Sequence, residues 1–163
     1  MFFHRKPHPQ PNEFLSPVTG RVCPLSSTPD EAFAGGQLGD GVVFRYDGSY
    51  VLSPCDAEVS VVPKTLHSVC LTADNGAELL IHIGVDTVML NGQGFKMLVK
   101  QGQHVTAGQK LIRIDRQFMA ERGLDLATPM VLLNGDEMKL TILCSDGPVT
   151  AADTPVFRCD PIG

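Results

Sequence analysis

The sequence predicts an all-β fold, a compact antiparallel β-sandwich or barrel with one short helix, and three observations point to it. From Phe14 onward, Gly and Pro recur at short intervals between brief Val-, Ile- and Leu-rich runs, the punctuation expected of many short strands. Residues 79–86 alternate strictly, with Leu79, Ile81, Ile83 and Val85 on one side and Leu80, His82, Gly84 and Asp86 on the other, as in a strand with one buried face. Asn75-Gly76 joins two such β-favouring runs, a strong hairpin signal.

Taken in order, strands are expected at Thr19–Pro24, Gly41–Tyr46, Tyr50–Ser53, Ala57–Val62, Thr65–Thr72, Ala77–Gly84, Lys96–Lys100, Lys110–Ile114, Met130–Asn134, Leu140–Cys144 and Pro155–Cys159. The helix is expected after Asp115, a fitting N-cap, over residues 116–122, and Gly123 stops it. Residues 1–13 are rich in proline and poor in packing side chains, so they are expected to be a disordered tail ahead of one domain over 14–163. His4 and His8 lie in that tail without cysteine or carboxylate partners for a metal.

A chain of 163 residues, 43% apolar and 19% charged, is sized for one domain with a real core. Its net charge of −5 and the absence of a basic run exclude a nucleic-acid protein and suit a basic protein partner. No apolar run is long enough to span a membrane, and Met1-Phe2-Phe3-His4-Arg5-Lys6 leads into Pro and Gln rather than a signal-peptide core. A cytoplasmic protein without direct membrane insertion is expected. The five cysteines form no C-x-x-C pair and are read as free thiols. Cys70 alternates onto the side opposite His67, as a small buried hydrophobe.

The hairpin carries the chemistry. With a two-residue turn at Asn75-Gly76, His67 falls opposite Gly84, on the face of His82 and diagonal to it. A one-residue slip would separate the two imidazoles.

The stretch Gly76-Ala-Glu-Leu-Leu-Ile-His-Ile-Gly-Val-Asp-Thr-Val88 resembles the signature of the glucose-family IIA component, a phosphocarrier, of the bacterial phosphoenolpyruvate-dependent sugar phosphotransferase system. The resemblance runs through Ser16-Pro17-Val18-Thr19-Gly20, Thr28 to Ala34, Leu38 to Val42, Asn91 to Phe95 and Thr154-Pro155-Val156, in one order. Val99-x-x-Gly102-x-x-Val105-x-x-Gly108-x-x-Leu111 is similar to the barrel-sandwich-hybrid-like half motif of that family and of biotin and lipoate carrier domains. No modifiable lysine follows Leu111 closely, and Lys139 comes too late to serve as one.

A neutral imidazole near its ordinary pKa of about 6.5 is a good nitrogen nucleophile and takes a phosphoryl group as a transferable phosphoramidate. His82 suits that role. The resemblance implies Nε2 as the attacking atom (a tele-phosphohistidine) and the Gly84 carbonyl as the Nδ1 acceptor. Gly84 is also expected to leave room above the ring. His67 is expected to stabilise the phosphoryl oxygens in the transition state, with the Thr65 hydroxyl orienting it. The resemblance places Asp30 and Asp86 beside the site, facing a basic partner, and Phe33 and Leu38 are expected as apolar rim residues that bind it.

Two other classes compete. His82-Ile83-Gly84-Val85-Asp86 fits the H-x-x-x-D half of a lysostaphin-like zinc endopeptidase, but the H-x-H half is missing; His67 and His82 alone would hold zinc only at an interface with a partner's carboxylate. A regulatory binding module without catalysis is the other. The expectation is a phosphocarrier without a cofactor, which accepts its phosphoryl group from the phosphocarrier protein HPr and passes it to the cysteine of a IIB domain of a sugar permease.

Overall fold

The computed structural model describes residues 9–163. Fourteen strands form three antiparallel sheets among them. The largest runs, in spatial order, β13 (Gly147–Val149), β2 (Gly20–Pro24), β3 (Gly41–Tyr46), β11 (Thr128–Leu132), β7 (Glu78–His82), β6 (Ser68–Ala73), β5 (Ala57–Val61) and β9 (His104–Val105). The second is β1 (Glu13–Leu15), β14 (Pro155–Pro161) and β12 (Met138–Ile142); the third is β4 (Tyr50–Leu52), β10 (Lys110–Ile114) and β8 (Phe95–Met97). The all-β expectation holds.

One apolar core joins the three sheets. Val69 and Leu71 of β6 and Leu79 and Ile81 of β7 point inward, fully buried, against a cluster that includes Phe14, Phe44, Phe157, Ile112 and Ile114. Each such side chain contributes roughly 1.5–3 kcal/mol on burial. The opposite face of β7 presents Leu80 and His82, both half-buried.

The expected helix is α2 (Arg116–Glu121), with Asp115 accepting a hydrogen bond from the Phe118 amide at 3.1 Å. A second, one-turn helix was not expected: α1 (Glu31–Ala34), N-capped by Asp30 through the Ala32 amide at 3.0 Å. Its apolar residue Phe33 packs with Leu25 and Val131 and with half-buried Leu80, over the outer face of the large sheet. Strands β1, β9 and β13 were also not expected; each has only two or three residues, too few to display a period. Of the tail expected over 1–13, residues 1–8, with His4 and His8, lie outside the described residues. Asn12 and Glu13 belong to the fold, because Glu13 pairs with Arg158 and the Asn12 carbonyl accepts from the Cys159 amide at 2.9 Å.

The hairpin loop has three residues, not two. Ala73 and Ala77 close it, with Asp74-Asn75-Gly76 between them and Gly76 left-handed at φ +96, the geometry of a type I turn with a glycine bulge. Asn75 fixes this loop from within, since its Oδ1 accepts from the Ala77 amide at 3.0 Å. Its Nδ2 donates to Asn12 Oδ1 at 2.8 Å and to the Cys159 carbonyl at 3.0 Å, tying the hairpin tip to the first and last strands. Asn134 braces the other side, donating to the Gly76 carbonyl and accepting from the Glu78 amide.

Candidate functional site

Near the middle of the large sheet, His67 and His82 meet edge to face, with ring centroids 4.8 Å apart and planes at 86°. The extra loop residue moves the register by one, so that Ser68 faces His82 and the Ile83 amide donates to the His67 carbonyl at 2.8 Å. In regular strands that slip would part the imidazoles. They stay together because β6 begins only at Ser68, and His67 sits in a bend just after Leu66, which is left-handed at φ +57. The bend frees His67 from strand parity. By the same slip, Cys70 comes opposite Leu80 on the outer face shared with His82; it is half-buried, and burial raises its thiol pKa.

Thr65 Oγ1 lies 2.8 Å from His67 Nδ1, so one ring nitrogen is held and Nε2 is left for other partners. His67 itself is buried, at 8% exposure. Burial lowers its pKa, and a backbone hydrogen bond at Thr65 opposes that shift.

His82 is the last residue of β7. The chain then turns through Gly84, at φ +84, whose amide donates to the Ala127 carbonyl at 3.0 Å, while the Val85 amide donates to Asp125 at 2.9 Å. The Thr87 hydroxyl donates to the Ile83 carbonyl. A Cβ at position 84 would stand 2.6 Å from Thr87 Cγ2 and 3.0 Å from the Asp125 carbonyl. The glycine therefore serves close backbone packing beneath the turn, rather than the room above the imidazole that the sequence suggested. The expected hydrogen bond from His82 Nδ1 to the Gly84 carbonyl is not formed, since Nδ1 is buried without a partner; the nearby Gly84 backbone still favours a proton on the ring.

Burial first, then the neighbouring His67, pull the His82 pKa down to about 4; Asp30 and the Gly84 backbone act in the opposite direction. At neutral pH the ring therefore carries a free lone pair. An uncharged pair of imidazoles at a half-buried surface can accept an electrophile and then, once an anion arrives, hold a proton to neutralise it.

The remaining expected site residues divide. Asp30 reaches the site electrostatically while capping α1. Asp86 is exposed and left-handed at φ +59, and Leu38 is 42% exposed. Phe33 departs from its expected place on an accessible rim: it is 3% exposed, and its ring lies against His82. Just after Asp86, Val88 and Met89, which the sequence reading did not single out, are 45% and 77% exposed in the one-turn segment Thr87–Leu90. Their signal was the pair of turn-forming residues Asp86 and Asn91 bracketing an apolar run too short to bury itself.

Among the described residues, no group of three or more His, Cys, Asp or Glu side chains is arranged to hold a metal ion. No helix there is long and apolar enough to cross a membrane.

An antiparallel β-sandwich with two apposed histidines at its face is what the resemblance to IIA components implied, and comparison with known proteins gives the same class. The sequence model of the phosphoenolpyruvate-dependent sugar phosphotransferase system, EIIA 1, matches residues 12–138. The chain is 35% identical to the PTS system glucose-specific EIIA component of Oceanobacillus iheyensis over 97% of its own length and 96% of that protein's. It is 37% identical to the PTS system N-acetylglucosamine-specific EIICBA component of Escherichia coli over 94% of its length, but spans only 24% of that longer protein. Among solved structures, the glucose permease IIA from Mycoplasma capricolum superposes with a TM-score of 0.79 at 28% identity, covering 89% of this chain and 94% of that one. The chain belongs to the EIIA 1 family, the glucose-family IIA components of the sugar phosphotransferase system.

Proposed function

We propose that this chain is a cytoplasmic phosphocarrier that takes a phosphoryl group onto His82 from the phosphohistidine of HPr and gives it to the cysteine of a IIB domain. The observation that carries this reading is the edge-to-face pair of His67 and His82, with His82 kept uncharged. In the first step the Nε2 lone pair of His82 attacks phosphorus, and the donor's N–P bond breaks with its electron pair returning to the donor imidazole. His82 keeps its proton on Nδ1, which the nearby Gly84 backbone favours, so its charge is delocalised while the phosphoryl group is held. In the second step a partner's thiolate attacks phosphorus and the His82 N–P bond breaks. His67, steadied by Thr65, donates from Nε2 to the equatorial oxygens in both steps, where positioning and electrostatics supply most of the rate. Asp30, Asp86 and Leu38 contribute to the docking face, joined by Val88 and Met89.

Incubating the purified chain with phosphoenolpyruvate and the general phosphotransferase enzymes tests this. One acid-labile phosphate per chain is expected, and none on His82→Ala. Full labelling of that variant would refute the assignment.

A further inference from the structure

Charge on this acidic chain is unevenly spread. Lys96, Lys110 and Arg113 lie on the β4–β10–β8 sheet, and Arg116 opens α2 beside it. Arg113 stands directly opposite Lys96 on the neighbouring strand, a placement in which like charges weaken strand pairing. On its other side Arg113 is opposite Tyr50, whose ring has Lys110 Nζ 4.1 Å above it. The ion pairs of the described residues are Arg21–Asp146, Arg45–Asp125, His104–Asp74 and Arg158–Asp160, so none of these four cations is neutralised among them. Arg116 is also fixed in place: Nε and Nη2 donate to the carbonyls of Gly48 and Tyr46 at 2.8 and 2.7 Å, and the guanidinium lies over the Tyr46 ring.

Lys96, Arg113 and Arg116 line one open cleft of about 580 Å³, with Ser49 and Tyr50 adding hydroxyls. The acid in this lining, Asp115, uses Oδ1 to cap α2. The volume is that of a small-molecule site, and the cleft belongs to a sheet that carries neither histidine. We propose that it is a second ligand site, for a small phosphate monoester such as a sugar phosphate, whose dianion bridges Lys96 and Arg113 against the fixed Arg116. A dianion with three acceptor oxygens relieves the Lys96–Arg113 repulsion and can accept from both side chains at once, with more charge than one carboxylate brings. The polyol part fills the cleft toward Ser49 and Tyr50.

The test is a titration of the unphosphorylated protein with glucose 6-phosphate at constant ionic strength, following the backbone amide resonances of Phe95, Lys96, Arg113 and Ile114. Saturable shifts are expected, weaker with inorganic phosphate, and lost in the Lys96→Gln/Arg113→Gln double variant. Lys96→Glu is expected to raise the melting temperature of the free protein and to abolish its rise with ligand, since it replaces a repelling pair with an attracting one. Shifts no larger than those from sodium chloride, or shifts retained in the double variant, would overturn the site. An equal response to inorganic phosphate would overturn the organic part of the ligand, and a response to polyglutamate alone would make the face one for acidic protein segments instead. None of these readouts depends on phosphoryl transfer at His82.

Discussion

The Phe33 ring is centred 5.0 Å from that of His82 and tilted 48° to it, so a residue of the short helix α1 roofs the imidazole. This contact excludes water from one side of the ring, and burial is the largest cause of its lowered pKa. Phe33→Ala is therefore expected to raise the His82 pKa from about 4 toward the ordinary value, and to destabilise the fold by about 3 kcal/mol through the cavity left beside Leu25 and Val131. Imidazole resonances followed against pH report the first effect and denaturant unfolding the second. An unmoved pKa would assign the shift to other neighbours.

Acid should weaken the fold through His82. Its folded pKa lies below the unfolded value of about 6.5, so the unfolded chain binds the extra proton between the two. The stability associated with the neutral ring is complete above pH 6.5 and is lost as pH falls to about 4. The loss amounts to as much as about 3 kcal/mol. Unfolding free energies at pH 7 and pH 4.5 are expected to differ less in His82→Gln than in the unaltered chain. Equal differences would show that carboxylates alone set the acid response.

His67→Gln is expected to leave the melting temperature nearly unchanged and to slow phosphoryl transfer by roughly 10² to 10³, as for loss of a transition-state donor. Glutamine can donate one hydrogen bond but cannot become a cation when the phosphoryl dianion arrives. Thr65→Val is expected to produce a smaller slowing in the same assay, because it frees the His67 ring without removing it. Single-turnover rates at the level of the unaltered chain would leave His67 a structural role only.

Asp86 occupies a left-handed position that asparagine also tolerates. Asp86→Asn together with Asp30→Asn, which keeps the α1 cap, is expected to lower the association rate with HPr at low salt and leave dissociation nearly unchanged, since exposed charge steers encounter more than it holds a complex. Raising ionic strength should reduce the unaltered chain to the rate of the double variant. Stopped-flow mixing decides this, and identical rates at low salt would make the acidic rim incidental.

Much of the fold was legible because the longer strands carry their own period. Gly41–Tyr46 and Lys110–Ile114 coincide with their expected bounds, and Asp115 caps its helix as its position suggested. The hairpin and its two histidines were legible too, but not the reason they meet. An Asn-Gly pair cannot tell a two-residue turn from the three-residue loop that Asn75 closes through its own side chain. The compensating bend at Leu66 and His67 has no residue signature, since leucine seldom adopts a positive φ. Phe33 was read as accessible because four helical residues display no face by themselves; only the packing onto Leu80, Val131 and His82 decides which way it points.

β1 and β14 pair side by side, in a sheet separate from the one that holds His67 and His82. The two strands that bound this unit therefore form one seam, joined to the far tip of the histidine hairpin through Asn75. The same span recurs within much longer polypeptides, such as the Escherichia coli EIICBA component, and a seam of this kind makes one fold mechanically compatible with both free diffusion and covalent leashing.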